Sequence, residues 1–131
     1  LEESAVVVFE KHAMSRLLRQ NGELAVRFIK TVSEDLVFTY NRLVSLTQKH
    51  VRGRVAESIL LMMETFGLAA DGKTLKAMLS REDIAHLSNM TTSNAIRTLS
   101  GFASEHIIEL DGRKIMVIDQ KKLEAISESG Q

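Results

Sequence analysis

The sequence predicts a mainly α fold with a small β component: a long helix, then a compact helical unit closed by a hairpin. Three observations carry this. Ala25, Ile29, Val32, Leu36, Thr39, Leu43 and Leu46 recur at alternating spacings of four and three, which is heptad spacing. Ser80 to Phe102 reads as two short helices joined by a tight turn. Ile107–Leu110 and Lys114–Ile118 are short apolar runs joined through Asp111-Gly112, a strong hairpin signal. Composition agrees. The 131 residues are 44% hydrophobic and contain no Trp and no Pro, so Leu, Ile, Val, Ala and Met must fill the core. That length suits one ordinary domain, or a small domain with an extension.

Taken in order, Leu1 to Phe9 contains the β-branched run AVVVF and reads as a strand. It has no partner before the next element, which suggests that the chain starts inside a preceding β-rich domain. Glu10 to Asn21 is a short helix with Ala13, Met14, Leu17 and Leu18 inward, stopped by Asn21-Gly22. The heptad helix, Glu23 to about Lys49, would be roughly 35–40 Å long at 1.5 Å per residue. Its second apolar stripe, Phe28, Val37, Tyr40 and Val44, means that two faces need burial. One can pack on its own chain and the other on a second copy. Thr39 is the polar position of the seam, of the kind that fixes register. In the basic joint His50-Val51-Arg52-Gly53-Arg54, Gly53 is the expected hinge. Val55 to Phe66 follows as a helix with Val55, Ile59, Leu60, Met62, Met63 and Phe66 on its core face. Gly67 to Lys73 is a loop, Thr74 to Leu79 a short strand, and Gln120 to Ser127 a last helical turn or two.

The two short helices have the most informative chemistry. Ser80 is an N-cap, and Asp83 can reach back to it as in a capping box. Ile84, Ala85 and Leu87 form an apolar face, Asn89 suits the left-handed turn, and Met90 plugs it. Thr91 caps the second helix, whose inward face is expected at Ala95, Ile96, Leu99 and Phe102. The opposite face carries Thr92, Ser93, Asn94, Arg97 and Thr98, with no acid between Asp83 and Glu105. Short donors and acceptors with one Arg fit a helix that enters the DNA major groove. A solvated face on a helical hairpin is the plainer reading. The 17 basic and 17 acidic residues give no net charge, so DNA affinity would have to come from a local basic face. Arg52, Arg54, Arg81, Arg97, Arg113 and Lys114 supply one, at the joint, the helix starts and the hairpin tip.

Other classes find little support. No cysteine is present to form a disulfide, a thiolate nucleophile or a metal ligand. No apolar run approaches membrane-span length, and no membrane partner is expected. Glu82 and His86 share a helix face, but a pair without a third ligand is a weak metal site, and no metal is expected. No phosphate loop or nucleophile elbow appears, so an enzyme is not expected and no catalytic residue is named. The remaining rival is a winged helix that contacts proteins without specific DNA binding.

The order helix, strand, helix, turn, helix, hairpin is the winged helix-turn-helix arrangement. With RGRVAESIL, SREDIAHLSNMTTSNAIRTLSGFASEHIIEL and DGRKIMVID in this order, the chain resembles the Crp-Fnr family of bacterial transcription regulators. The resemblance implies residues 1–21 as the last strand and short helix of a cyclic-nucleotide-binding-like sensor domain. It implies 22–49 as a dimerisation helix, 50–127 as a winged helix-turn-helix DNA-binding domain, and 128–131 as a loose tail.

The function implied is a cytoplasmic homodimer that binds a near-palindromic double-stranded DNA site under effector control. The dimer seam would be Ala25, Ile29, Val32, Leu36, Thr39, Leu43 and Leu46. Arg97 falls on the family's guanine-reading Arg, and Thr92 and Ser93 fall on its other base-reading positions. Ser93 replaces a Glu and Thr92 a frequent Arg, so the family's usual half-site is not implied. Arg52, Arg81, Thr91 and Asn94 fall on phosphate-contacting positions, and the wing tip adds Arg113 and Lys114. Thr39 and Tyr40 fall where some members touch a cyclic nucleotide. The effector, and with it any cofactor, stays unknown. The loop from Gly67 to Lys73 resembles a surface that some members present to RNA polymerase.

Overall fold

The computed structural model describes residues 4–129. The chain divides into two compact units between Arg42 and Leu43. The elements are α1 (Lys11–Gln20), α2 (Gly22–Gln48), α3 (Val51–Phe66), α4 (Arg81–Leu87), α5 (Thr92–Ser104), β1 (Ile108–Asp111), β2 (Lys114–Val117) and α6 (Gln120–Ser129).

In the first unit, Asn21 both ends α1 and starts α2. Its amide donates to the Leu17 carbonyl at 3.0 Å, and its side-chain oxygen accepts from the Leu24 amide at 3.0 Å. This is an N-cap that satisfies one of the free donors of a helix start. Arg27 pairs with Glu23 at 2.7 Å and Lys30 with Glu34 at 3.8 Å, four residues apart along α2. Such exposed pairs add a few tenths of a kcal/mol each. The heptad seam lies open on the single chain: Leu36 is 68% exposed, with Ile29, Val32, Thr39 and Leu43 also exposed and Ala25 and Leu46 half-buried. Phe28, Val37 and Tyr40 of the second stripe are exposed as well. The AVVVF run forms no strand among the described residues 4–10, and Val6, Val7, Val8 and Phe9 stand in solvent. A strand needs a ladder partner, and none of the described residues supplies one there. Residues 1–3 of that expected strand lie outside the described residues.

The second unit is built on one core. Val55, Ala56, Ile59 and Met62 of α3 meet Ile84 and Ala85 of α4 and Ala95, Leu99 and Phe102 of α5. Ile107, Ile108, Ile115 and Val117 close it on the hairpin side, with Leu123 and Ile126 from α6. β1 and β2 are antiparallel, with Ile108 opposite Val117 and Asp111 opposite Lys114. Gly112 takes φ 56° at the first loop position, a conformation glycine reaches without steric cost.

Several expectations are corrected here. The helix break falls at Lys49-His50, with His50 extended at ψ 160°. Gly53 sits buried inside α3 rather than at a hinge. The expected strand Thr74–Leu79 reduces to two isolated bridges, Leu68 with Leu75 and Thr74 with Met116. Phe66, expected in the core, is exposed at the end of α3. Of the expected loose tail 128–131, Glu128 and Ser129 continue α6, which buries Ser127, and residues 130 and 131 lie outside the described residues. Asp119 caps α6, accepting from the Lys122 amide at 2.9 Å.

Candidate nucleic-acid interface

The helix-turn-helix is assembled by local hydrogen bonds. The Ser80 hydroxyl accepts from the Asp83 amide at 3.0 Å, and the Asp83 carboxylate accepts from the Ser80 amide at 2.7 Å, a complete capping box. Hydrogen bonding from the Ser80 hydroxyl, then from its amide, holds the Asp83 carboxyl below its ordinary range. α4 ends in a Schellman turn. The Met90 amide donates to the Ala85 carbonyl at 3.0 Å and the Asn89 amide to His86 at 3.1 Å, with Asn89 at φ 49°. α5 starts on Thr91, whose hydroxyl accepts from the Asn94 amide at 3.3 Å. It ends in the same kind of turn: Ile107 donates to Phe102 at 2.9 Å and His106 to Ala103 at 3.1 Å, with His106 at φ 55°.

The α5 faces are set by packing. Ala95, Thr98, Leu99 and Phe102 are buried, and they follow the i, i+3, i+4, i+7 stripe. Thr98 is therefore an inward residue at 8% exposure, and Ile96 is an outward one at 46%, the reverse of the expectation. Threonine's methyl group suits an apolar contact, and position 98 lies on the stripe whereas position 96 does not. Thr92, Ser93 and Arg97 are all exposed beside Ile96, and Asn94 is half-buried next to its cap.

The flanking cations differ in how committed they are. Lys114 and Arg113 are exposed at the hairpin tip, with Arg113 at 3.9 Å from the Asp83 carboxylate. Arg81 is half-buried in the first turn of α4. Arg52 is engaged: its guanidinium grips Glu105 through two bonds, 2.8 and 3.0 Å, and lies 4.9 Å from the centre of the Phe102 ring. These bonds hold the Glu105 carboxyl below its ordinary pKa, with Lys122 adding to the effect at 3.7 Å. Arg52 thus anchors the end of α5 through a bidentate carboxylate pair.

Arg54, assigned from sequence only to the basic joint, has a more specific place. Its Nη1 donates to the Leu46 carbonyl near the end of α2 at 3.2 Å and to the Asn89 carbonyl in the turn at 2.8 Å. Glu57 accepts from Ser45 and pairs with Lys49 at 3.3 Å, a second tie between α3 and the end of α2. Nothing in local spacing announces either tie. Thr39 and Tyr40, the candidate effector contacts, are exposed on α2.

A family model described as the Crp-like helix-turn-helix domain matches residues 53–126, more than half of the chain. A CRP-like cAMP-activated global transcriptional regulator of Mycobacterium tuberculosis is 26% identical over 125 residues, 94% of this chain and 55% of that protein. The anaerobic regulatory protein of Bacillus subtilis is 23% identical over 112 residues, 85% of this chain and 47% of that protein. The chain thus spans about half the length of the curated relatives it matches. Among solved structures, a CRP/FNR-family transcriptional regulator from Thermus thermophilus has the same fold, with TM-score 0.76 and 24% identity over 85% of this chain and 57% of that one. FixK2 from Bradyrhizobium japonicum aligns with TM-score 0.76 and 21% identity over 88% of this chain and 57% of that one. With its capped helix-turn-helix, its hairpin wing and the family match across both, the chain belongs to the Crp-Fnr family of DNA-binding transcription regulators.

Proposed function

We propose that this chain is the dimer-forming and DNA-reading part of a cytoplasmic transcription regulator that binds a near-palindromic site as a homodimer. One observation carries the reading: Thr92, Ser93 and Arg97 share the solvent face of α5, whose start is fixed by the Thr91 cap and by the Asn89 turn. A helix presented in this way fits the major groove, with Arg97 as the guanine reader and Thr92 and Ser93 on neighbouring base edges. Arg81, Thr91, Asn94, Arg113 and Lys114 are assigned to phosphates, where they would fix register. Arg52 is assigned to a phosphate as well, from its place on Glu105.

The open α2 seam from Ala25 to Leu46 is the proposed homodimer contact, and its exposed Leu36 and Ile29 support it. An effector would act on α2, with Thr39 and Tyr40 as its contacts, through sensor-domain sequence of which residues 1–21 are a part. The ties from Arg54 and Glu57 to the end of α2 support passage of that signal to the turn at Asn89. The loop from Gly67 to Lys73 is the proposed RNA polymerase contact.

The test is selection of bound duplexes from a random pool at stated salt. A two-fold site with half-sites about 34–36 Å apart is expected. Salt-dependent binding without any enriched site would refute sequence-specific reading by this chain. A folded protein that binds no duplex would favour protein contacts instead.

A further inference from the structure

Charged side chains from three separate elements meet at the end of α5. Glu105 closes that helix, its amide donating to the Gly101 carbonyl at 3.0 Å. Its carboxylate takes both arms of Arg52, from the start of α3, at 2.8 and 3.0 Å, and lies 3.7 Å from Lys122 of α6. Arg52 also rests on the buried Phe102 ring. An acid at the negative end of a helix stands against the macrodipole, so its place there has to be explained by what it holds. A free arginine has rotamer freedom that any phosphate contact must remove. The two bonds to Glu105 and the ring beside it have already removed much of that freedom from Arg52. One carboxylate uses only part of a guanidinium's donor set, and the Arg52 side chain is 37% exposed, so donors remain for a phosphate oxygen. The same carboxylate offsets the charge that would draw Arg52 to any duplex.

We propose that Glu105 is a positioning residue for DNA binding: it holds Arg52 where a docked α5 brings a phosphate to it, and screens that arginine from duplexes on which α5 is not docked. The inference rests on the DNA-reading role of α5 and the phosphate role of Arg52 proposed above. It makes an acid on a DNA-binding unit a source of specificity. Specificity is a difference of affinities, and weakening the wrong complex raises it. Bonding from Arg52 holds the Glu105 carboxyl below its ordinary range, so the screen is in place at neutral pH.

The experiment measures the affinity of the full chain for its selected duplex and for a scrambled duplex of the same length, over a salt series. Glu105→Gln keeps the size of the side chain and removes its charge. It should bind the scrambled duplex about fivefold more tightly, with a slope of log affinity against log salt steeper by about one, because Arg52 is released to any phosphate. It should bind the selected duplex no more tightly than wild type, so the ratio of the two affinities falls. Lys122→Gln leaves the Arg52 pair intact and should keep the wild-type ratio. If Glu105→Gln fails to fold by circular dichroism, Glu105→Asp replaces it. Its shorter arm gives up one of the two bonds, and the ratio should fall to a smaller degree. Equal gains on both duplexes would overturn the proposal. So would a gain on the scrambled duplex that persists after Arg52→Gln is added, since it would come from lost repulsion alone. An unchanged ratio on an enriched site would overturn the role of Glu105 and leave DNA reading intact. Failure to enrich any duplex would overturn both readings together.

Discussion

Single side chains in this protein either hold the reading unit together or face outward from it, and the two kinds should respond differently to substitution. Ser58 and Ser88 are fully buried and share a hydrogen bond of 2.9 Å between α3 and the end of α4. Ser58→Ala leaves the Ser88 hydroxyl without that acceptor, and should cost about 1–3 kcal/mol in urea unfolding. The double substitution Ser58→Ala, Ser88→Ala should cost less than the sum of the singles, because it removes both ends of one bond. Arg97 makes the opposite case. It is exposed, so Arg97→Ala should leave the unfolding curve unchanged. In duplex binding it should lose about 1–3 kcal/mol and relax discrimination at one base pair.

At the scale of elements, turns and helix starts depend on charged groups whose ionisation is shifted. The Asp71 carboxylate accepts from the Thr74 hydroxyl at 2.5 Å and from the Lys73 and Thr74 amides, each at 2.9 Å. Those bonds, the Thr74 hydroxyl first, lower its pKa from 3.8 to about 2. Asp83 and Glu105 are lowered as well, by the Ser80 hydroxyl and by Arg52 respectively. A carboxyl with a depressed folded pKa contributes stability that is fully present above its unfolded value and is lost as pH falls through the folded one. The melting temperature should therefore fall as pH drops from about 4 to about 2. Asp71→Asn should make that decline shallower, as a pH series of thermal melts would show. The wing is a separate element with a separate readout. Lys114→Ala should weaken all duplexes alike and reduce the slope of log affinity against log salt by about one.

At the scale of the whole molecule, the proposed homodimer contact is the exposed seam of α2. Leu36 and Ile29 lie on a face that heptad spacing makes continuous. Leu36→Asp should convert a dimer to a monomer in sedimentation equilibrium, with the far-ultraviolet spectrum of the second unit retained. Specific binding to a two-fold site should fall with it, because each half-site contact then has to form without its tethered neighbour. A Leu36→Asp protein that remained dimeric would place the dimer contact elsewhere.

Much of this molecule was legible in its sequence, wherever the decisive partners lie within three or four residues of each other. Ser80 with Asp83, the Thr91 cap, the left-handed Asn89 and the Asp111-Gly112 turn were all readable, because caps and turns are local hydrogen-bond chemistry. The length of α2 was readable from its repeat. What only the tertiary structure decided involves partners far along the chain. Glu105 claims Arg52 from 53 residues away, and Asn89 receives Arg54 from 35 residues away. The rotation of α5 that turns Thr98 in and Ile96 out is set by packing on α3, α4 and β1, and hydrophobicity alone ranked those two residues the wrong way. The AVVVF run shows the same limit in reverse. Its residues favour a strand, yet a strand is made by its neighbour's hydrogen bonds, and the described residues offer it none.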